Sequence, residues 1–313
     1  MLTRRSVVTG LAVLAADASR IALAEERVVR MGYQKVGAFA LLKAHGLLNQ
    51  QLEPLGYTVA WQEFPGGPQL LAALKDGAVD FAHSGEAPPI FAQAAGTPLL
   101  YIGYVPDGPL SEAILVLKDS PIRTIADLKG KKIGLNRGSN VHYLLVRVLA
   151  KAGVKYADVD PVFLTPAEGR AAFEKGAIDA WVIWEPYRTA AEFSLGARTL
   201  ADGTGVVSNN DFFFVAKAFA LAHPQLIDLI FGATRAIFAQ AAKDIPGTAK
   251  TFSAAAGFPV AVLETTLSHR GFNVQRINEE VIGEQQRIAD TFKDIGLIPN
   301  SIIVSDAVYR PAS

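Results

Sequence analysis

Leu74-Lys75-Asp76-Gly77-Ala78-Val79-Asp80-Phe81 has a near copy roughly 100 residues later, Phe173-Glu174-Lys175-Gly176-Ala177-Ile178-Asp179-Ala180. In each copy a helical pattern runs into a glycine, a natural helix stop, and a short apolar strand signal follows. The match extends outward. Met31-Gly32-Tyr33-Gln34 pairs with Ile133-Gly134-Leu135-Asn136, and the alternating stretch 58–64 pairs with 159–164. Each strand then enters a loop carrying glutamate and proline, Glu86-Ala87-Pro88 in one copy and Glu185-Pro186 in the other.

The first copy reads strand (28–33), helix (38–48), strand (58–64), helix (69–75), strand (79–82) and a helix opening at Pro88-Pro89. That order predicts a parallel, doubly wound sheet. Two such units predict an α/β protein with two lobes. Pro106 to Pro109 and Asn209 to Phe214 flank the second unit, and helical patterns at 225–243 and 278–294 follow it. The second lobe is therefore expected as an insertion. The expected divisions are 25–110 for the first part of lobe 1, 111–209 for lobe 2 and 210–313 for the rest of lobe 1.

Composition narrows the function. Of the 313 residues, 50% are hydrophobic and 19% charged, which suits a large core rather than disorder. Thirty basic and thirty acidic residues cancel, unlike the basic excess of nucleic-acid binders. There is no cysteine, so disulfides, thiolate metal sites and cysteine nucleophiles are absent. No Gly-Lys-Ser/Thr phosphate loop appears, so ATP hydrolysis is not expected of this chain.

Arg4 and Arg5 precede the apolar stretch Val7 to Ala16, and Ala22-Leu23-Ala24 offers a small-residue cleavage site. That is the layout of a secretory signal, assigned to residues 1–24. Thr3-Arg4-Arg5-Ser6-Val7-Val8 is similar to a twin-arginine signal, and an ordinary secretory signal remains open. Later stretches fall short of the ~18 apolar residues that span a bilayer. Periplasmic export of a soluble monomer is the expectation.

In open α/β sheets, ligands bind beyond the carboxyl ends of the strands. Four loops fall there: Gln34 to Gly37, Ser84 to Glu86, Asn136 to His142, and Trp184 to Tyr187. Facing lobes would join them in one cleft. Gly138-Ser139-Asn140 opens a helix whose free N–H groups suit an anion, and Ser84-Gly85 offers similar elements. Ser and Asn are also ordinary helix caps. Trp184 and Tyr187 could cover an aliphatic tail or could pack in the core. Glu86 and Glu185 could orient a basic neighbour, accept from a ligand, repel dianions or lie at the surface. His83 and His142 are too few to claim a metal site; His142 joins the candidate ligand-binding set.

Several stretches carry a family resemblance. They are Gly32-Tyr33-Gln34-Lys35, the run Glu63 to Gln69, Ser84-Gly85-Glu86-Ala87-Pro88-Pro89-Ile90-Phe91-Ala92-Gln93-Ala94-Ala95-Gly96, Gly138-Ser139, Leu164 to Ala167, Asp179 to Tyr187 and His269-Arg270. Together they resemble the aliphatic sulfonate-binding proteins of ABC importers. The resemblance implies a type II periplasmic-binding-protein fold with an alkyl sulfonate held between the lobes. It also implies delivery to a membrane permease that has its own ATPase. It implies contacts from Gln34, Ser84, Gly85, Glu86, Gly138, Ser139, Asn140, Trp184 and Glu185, with no cofactor. Glu86 and Glu185 stand where aspartate is common, and Asn136-Arg137 replaces a more usual Gln-Lys. Those departures leave the preferred tail open. Neighbouring families bind taurine or nitrate. Same-fold enzymes rely on cysteine or clustered histidines, whereas this chain has five scattered histidines. A DNA-binding regulator would need a helix-turn-helix before the first strand, where the export signal lies. A sulfonate offers three acceptor oxygens, and N–H groups with hydroxyls are expected to saturate them without a neutralising cation.

Overall fold

The computed structural model describes residues 27–106 and 108–311; the export signal expected at 1–24 lies outside them. β1 (Val28–Tyr33) leads into α1 (Ala38–His45) and α2 (Leu47–Leu52). One continuous helix over 38–48 is expected from the apolar pattern. Gly46 breaks it: at φ 64° its N–H turns back to the Lys43 carbonyl, closing α1 before α2 begins. β2 (Thr58–Glu63), α3 (Gly67–Lys75), β3 (Phe81–Gly85) and α4 (Pro88–Ala94) follow, and β4 (Leu99–Pro106) completes this run.

The chain then crosses to a second sheet. It contains β5 (Glu112–Val116), β6 (Lys132–Leu135), β7 (Asp160–Phe163), β8 (Ala180–Trp184) and β9 (Arg198–Asp202). Its helices are α5 (Asn140–Lys151), α6 (Pro166–Glu174) and α7 (Tyr187–Leu195). The return strand β10 (Asn210–Ala216) rejoins the first sheet. α8 (Lys217–Ala222), α9 (Pro224–Ala241), α10 (Ile245–Ala256), α11 (Val260–Ser268) and α12 (Glu279–Asp294) close the chain.

The sheets run β2-β1-β3-β10-β4 and β7-β6-β8-β5-β9. The same order recurs, with the strand that has just crossed in fourth place. Both crossing strands run against their neighbours: β10 is antiparallel to β3 and β4, and β5 to β8 and β9. The sequence reading of purely parallel sheets is corrected here. A strand followed by its own helix ends at the cleft; a strand arriving from the other lobe starts there, so it points the opposite way.

The sequence repeat is a structural repeat. Gly77 and Gly176 both end their helices in the left-handed region, at φ 72° and 64°. Asp80 then accepts the Arg30 N–H at 2.8 Å, and Asp179 accepts the Lys132 N–H at 2.8 Å. Each aspartate tethers the start of the third strand to the first. Strand β3 begins two residues later than its apolar signal, because Val79 and Asp80 form this tether. Apolar clusters sandwich each sheet. α9 buries Leu226, Ile230 and Ile237 with β1 and α1, while α12 buries Val281, Ile288 and Phe292 with α3 and α4. No helix among the described residues is long and apolar enough to cross a membrane.

Candidate functional site

All four cleft loops meet around one cavity of about 80 Å³. Gln34 and Gly85 reach it from the first sheet, and Asn140 and Trp184 reach it from the second. The lobes approach closely there. A Cβ on Gly85 would stand 2.9 Å from the Asn140 side chain, and one on Gly66 would stand 3.4 Å from the Trp184 ring. Glycine at both places removes the side chain that would hold the lobes apart.

The polar end is built by residues distant in sequence. Arg270, just past α11, lines the cavity with its side chain 8% exposed. Its guanidinium lies 5.3 Å over the Phe238 ring and 3.8 Å from Asp211 Oδ2. Asp211, near the start of β10, also stands 3.4 Å from His83 Nδ1. The Gln34 N–H points to His83 Nε2 at 3.4 Å, which makes that nitrogen the acceptor and places the ring proton on Nδ1, facing Asp211. Gln34 spends one side-chain amide hydrogen on the His83 carbonyl at 3.2 Å. The expectation of an anion site with no cation is corrected: a nearly buried guanidinium lines the cavity, its charge partly offset by Asp211.

Part of the cavity lining is apolar. Phe64, Pro65, Trp184 and Tyr187 line it. Tyr187 packs edge-on against Phe258 at 5.5 Å, and burial raises its hydroxyl pKa, with a further push from the Glu63 charge. The same cavity can therefore cover a hydrocarbon and bind charge.

Five of the sequence candidates line the cavity: Gln34, Gly85, Asn140, Trp184 and Glu185. Ser84, Glu86, Gly138, Ser139 and His142 do not, and each has a reason. Ser84 is fully buried behind Gly85, donating to the Gly85 carbonyl at 3.1 Å. Glu86 faces away from the cavity and accepts the Asn210 N–H at 3.1 Å. Gly138 gives its N–H to His142 Nδ1 at 3.2 Å, and Ser139 gives its hydroxyl to the Asn136 carbonyl at 2.7 Å. His142 is buried; its Nε2 is 2.7 Å from the Tyr156 hydroxyl. Burial, with the nearby Arg137 charge, pushes its pKa down to about 4.

One of the two helix starts lacks its first donors. Pro88 and Pro89 open α4, and proline has no N–H. Asn140 donates from Nδ2 to Glu112 and, at 3.1 Å, to Asn209 Oδ1, binding α5 to both crossing segments. Glu185 is also engaged with protein partners, accepting from the Thr189 hydroxyl at 2.7 Å and from His269 Nδ1 at 2.8 Å.

Arg270 and Asp211 line the cavity but were missed by the loop-based reading. Neither follows a strand that ends at the cleft. Asp211 is the second residue of the reversed strand, and Arg270 arrives from a helical segment. His269-Arg270 was visible as a motif, but its place beside the cavity is set by tertiary packing.

The family described as NMT1/THI5 like matches residues 56–249. The chain belongs to the NMT1/THI5-like family. This NMT1/THI5-like protein is 39% identical over 289 residues to an inferred aliphatic sulfonates-binding protein of Escherichia coli (strain K12), covering 90% of this chain and 89% of that one. A Bacillus subtilis (strain 168) protein of the same description is 30% identical over 90% of this chain and 85% of that one. Among solved structures, the alkanesulfonate-binding protein SsuA from Xanthomonas axonopodis pv. citri, bound to MOPS, superposes with a TM-score of 0.86. It is 43% identical and covers 92% of this chain and 99% of that chain. The resemblance carried by the loop motifs thus extends over nine-tenths of the NMT1/THI5-like chain, and the fold is that of the periplasmic sulfonate-binding proteins.

Proposed function

We propose that this protein captures an alkyl sulfonate between its lobes and delivers it, unaltered, to the permease of an ABC importer in the periplasm. The observation that carries the reading is that Arg270, Trp184 and Tyr187 line one small cavity between the lobes. A guanidinium presents several N–H donors in a plane and matches an oxyanion. Charge-assisted hydrogen bonds of this kind contribute about 1.5–3 kcal/mol each. Asp211 limits the positive charge at the site, which disfavours a dianion more than a monoanion. The aromatic wall separates alkyl sulfonates from nitrate, which has no tail to bury. Export through the twin-arginine or the general secretory route, action as a monomer and the absence of catalysis belong to the same reading.

Isothermal titration with methanesulfonate, ethanesulfonate, butanesulfonate, taurine, nitrate and sulfate tests it. Alkyl sulfonates should bind at least tenfold more tightly than nitrate or sulfate. Arg270→Gln should weaken every alkyl sulfonate about a hundredfold, the loss of roughly 3 kcal/mol expected for a buried charge-assisted contact. Stronger binding of nitrate or taurine than of any alkyl sulfonate would overturn the assignment. Mass spectrometry after long incubation should recover the solute unchanged; a product would make the protein an enzyme.

A further inference from the structure

Glu185 lines the cavity, yet its carboxylate is already filled by protein donors. Oε1 accepts from Thr189 Oγ1 at 2.7 Å and His269 Nδ1 at 2.8 Å. Oε2 accepts from the Thr189 N–H at 3.1 Å and Thr266 Oγ1 at 3.2 Å. A carboxylate has about four acceptor positions, and all are taken. Thr189 lies on α7, in the same lobe as Glu185. Thr266 on α11 and His269 just after it lie in the other lobe. Half of the carboxylate's partners are therefore lost when the lobes part.

We infer that Glu185 is a closure latch, a positioning residue that joins the lobes through Thr266 and His269 rather than a group that holds solute. The contacts beside it share the geometry. Ser111, from the crossing segment, donates to the His269 carbonyl at 3.0 Å, and Tyr187 meets Phe258 edge-on. Arg270 is the next residue after His269, so the latch also sets where the guanidinium stands. Because the latch contains no solute atom, it holds part of the population closed before solute arrives and slows release afterwards. The inference rests on the lobes opening and closing, as the proposed function requires, but not on which solute is carried.

The cysteine-free chain allows clean labelling. Lys75→Cys and Lys175→Cys place spin labels at exposed ends of α3 and α6, the equivalent helices of the two lobes. Distances are measured by pulsed electron paramagnetic resonance without solute and with ethanesulfonate. The solute-free protein should contain a closed population that Glu185→Gln and His269→Gln each reduce at least fivefold, with ethanesulfonate release faster by a similar factor. Thr266→Val removes a donor only on the far lobe and should act in the same direction, which separates the latch from any disturbance of α7. A solute-free protein with no closed population overturns the inference. So do Thr266→Val and Glu185→Gln populations identical to the parent. Failure of ethanesulfonate to bind would count against the proposed solute, while the solute-free distances still decide the latch.

Discussion

Glu86 closes the end of β3 with a carboxyl that water barely reaches. Burial pushes its pKa up to about 7; the neighbouring Glu284 charge adds to the rise, and the Asn210 and Asn209 N–H groups oppose it. The folded value lies above the unfolded 4.5, so this group's contribution to stability is complete below pH 4.5 and is lost as pH rises through 7. At about 1.4 kcal/mol per pKa unit, the full loss is about 3 kcal/mol. Glu86→Gln keeps an acceptor for the Asn210 N–H and never ionises. Its melting temperature should exceed the parent's at pH 8 and match it near pH 4.5; a constant difference across that range would refute the assignment. His142 runs the other way. Its folded pKa of about 4 lies below the unfolded 6.5, so its contribution is present above 6.5 and fades as pH falls towards 4. The sequence put both residues in the candidate set beside the cleft but could not orient them. Glu86 turns away because Asn210, 124 residues further along, supplies its donor.

Whole elements depend on a few close approaches that only glycine permits. Gly32 in β1 and Gly134 in β6 occupy equivalent places. A Cβ there would meet Leu70 Cδ1 at 2.1 Å and Ile178 Cδ1 at 2.3 Å. Those neighbours are the ends of flexible side chains and can shift, at a typical overpacking cost of about 1–3 kcal/mol. Gly271, next to Arg270, differs: a Cβ there would fall 1.9 Å from the Pro106 carbonyl oxygen, part of the backbone at the crossing. Gly271→Ala should therefore lower the urea midpoint more than Gly134→Ala, and it alone should also weaken solute binding by moving Arg270. Equal midpoints with unchanged affinity would show that the crossing segment yields easily. At this scale the sequence was highly legible. Helix, glycine, aspartate and strand recur at fixed spacing, and both tethers follow from that spacing. Strand direction was not legible, because a period-two apolar pattern reads the same both ways. Only the connectivity between lobes makes β5 and β10 antiparallel.

For the whole molecule, closure joins two surfaces that an open form would expose to water. One is the latch side, where α7 meets α11. The other is aromatic: Phe91 of α4 stacks on His142 of α5 at 6.3 Å, and Phe292 of α12 meets the Tyr143 ring at 5.6 Å. Phe91 also lies 3.3 Å from where a Gly138 side chain would stand, so α4 touches the loop that opens α5. Solute can shift the lobes only by its differential affinity for the closed form, and every interlobe contact lowers what it must supply. Aromatic pairs of this geometry contribute about 0.5–1.5 kcal/mol beyond the area they bury. Phe91→Ala removes the pair and part of that area, and the residue does not line the cavity. It should weaken ethanesulfonate binding about tenfold while preserving the preference order among sulfonates, because it acts on closure and not on the solute. A changed preference order would place Phe91 at the binding surface, and unchanged affinity would mean that the aromatic seam survives opening.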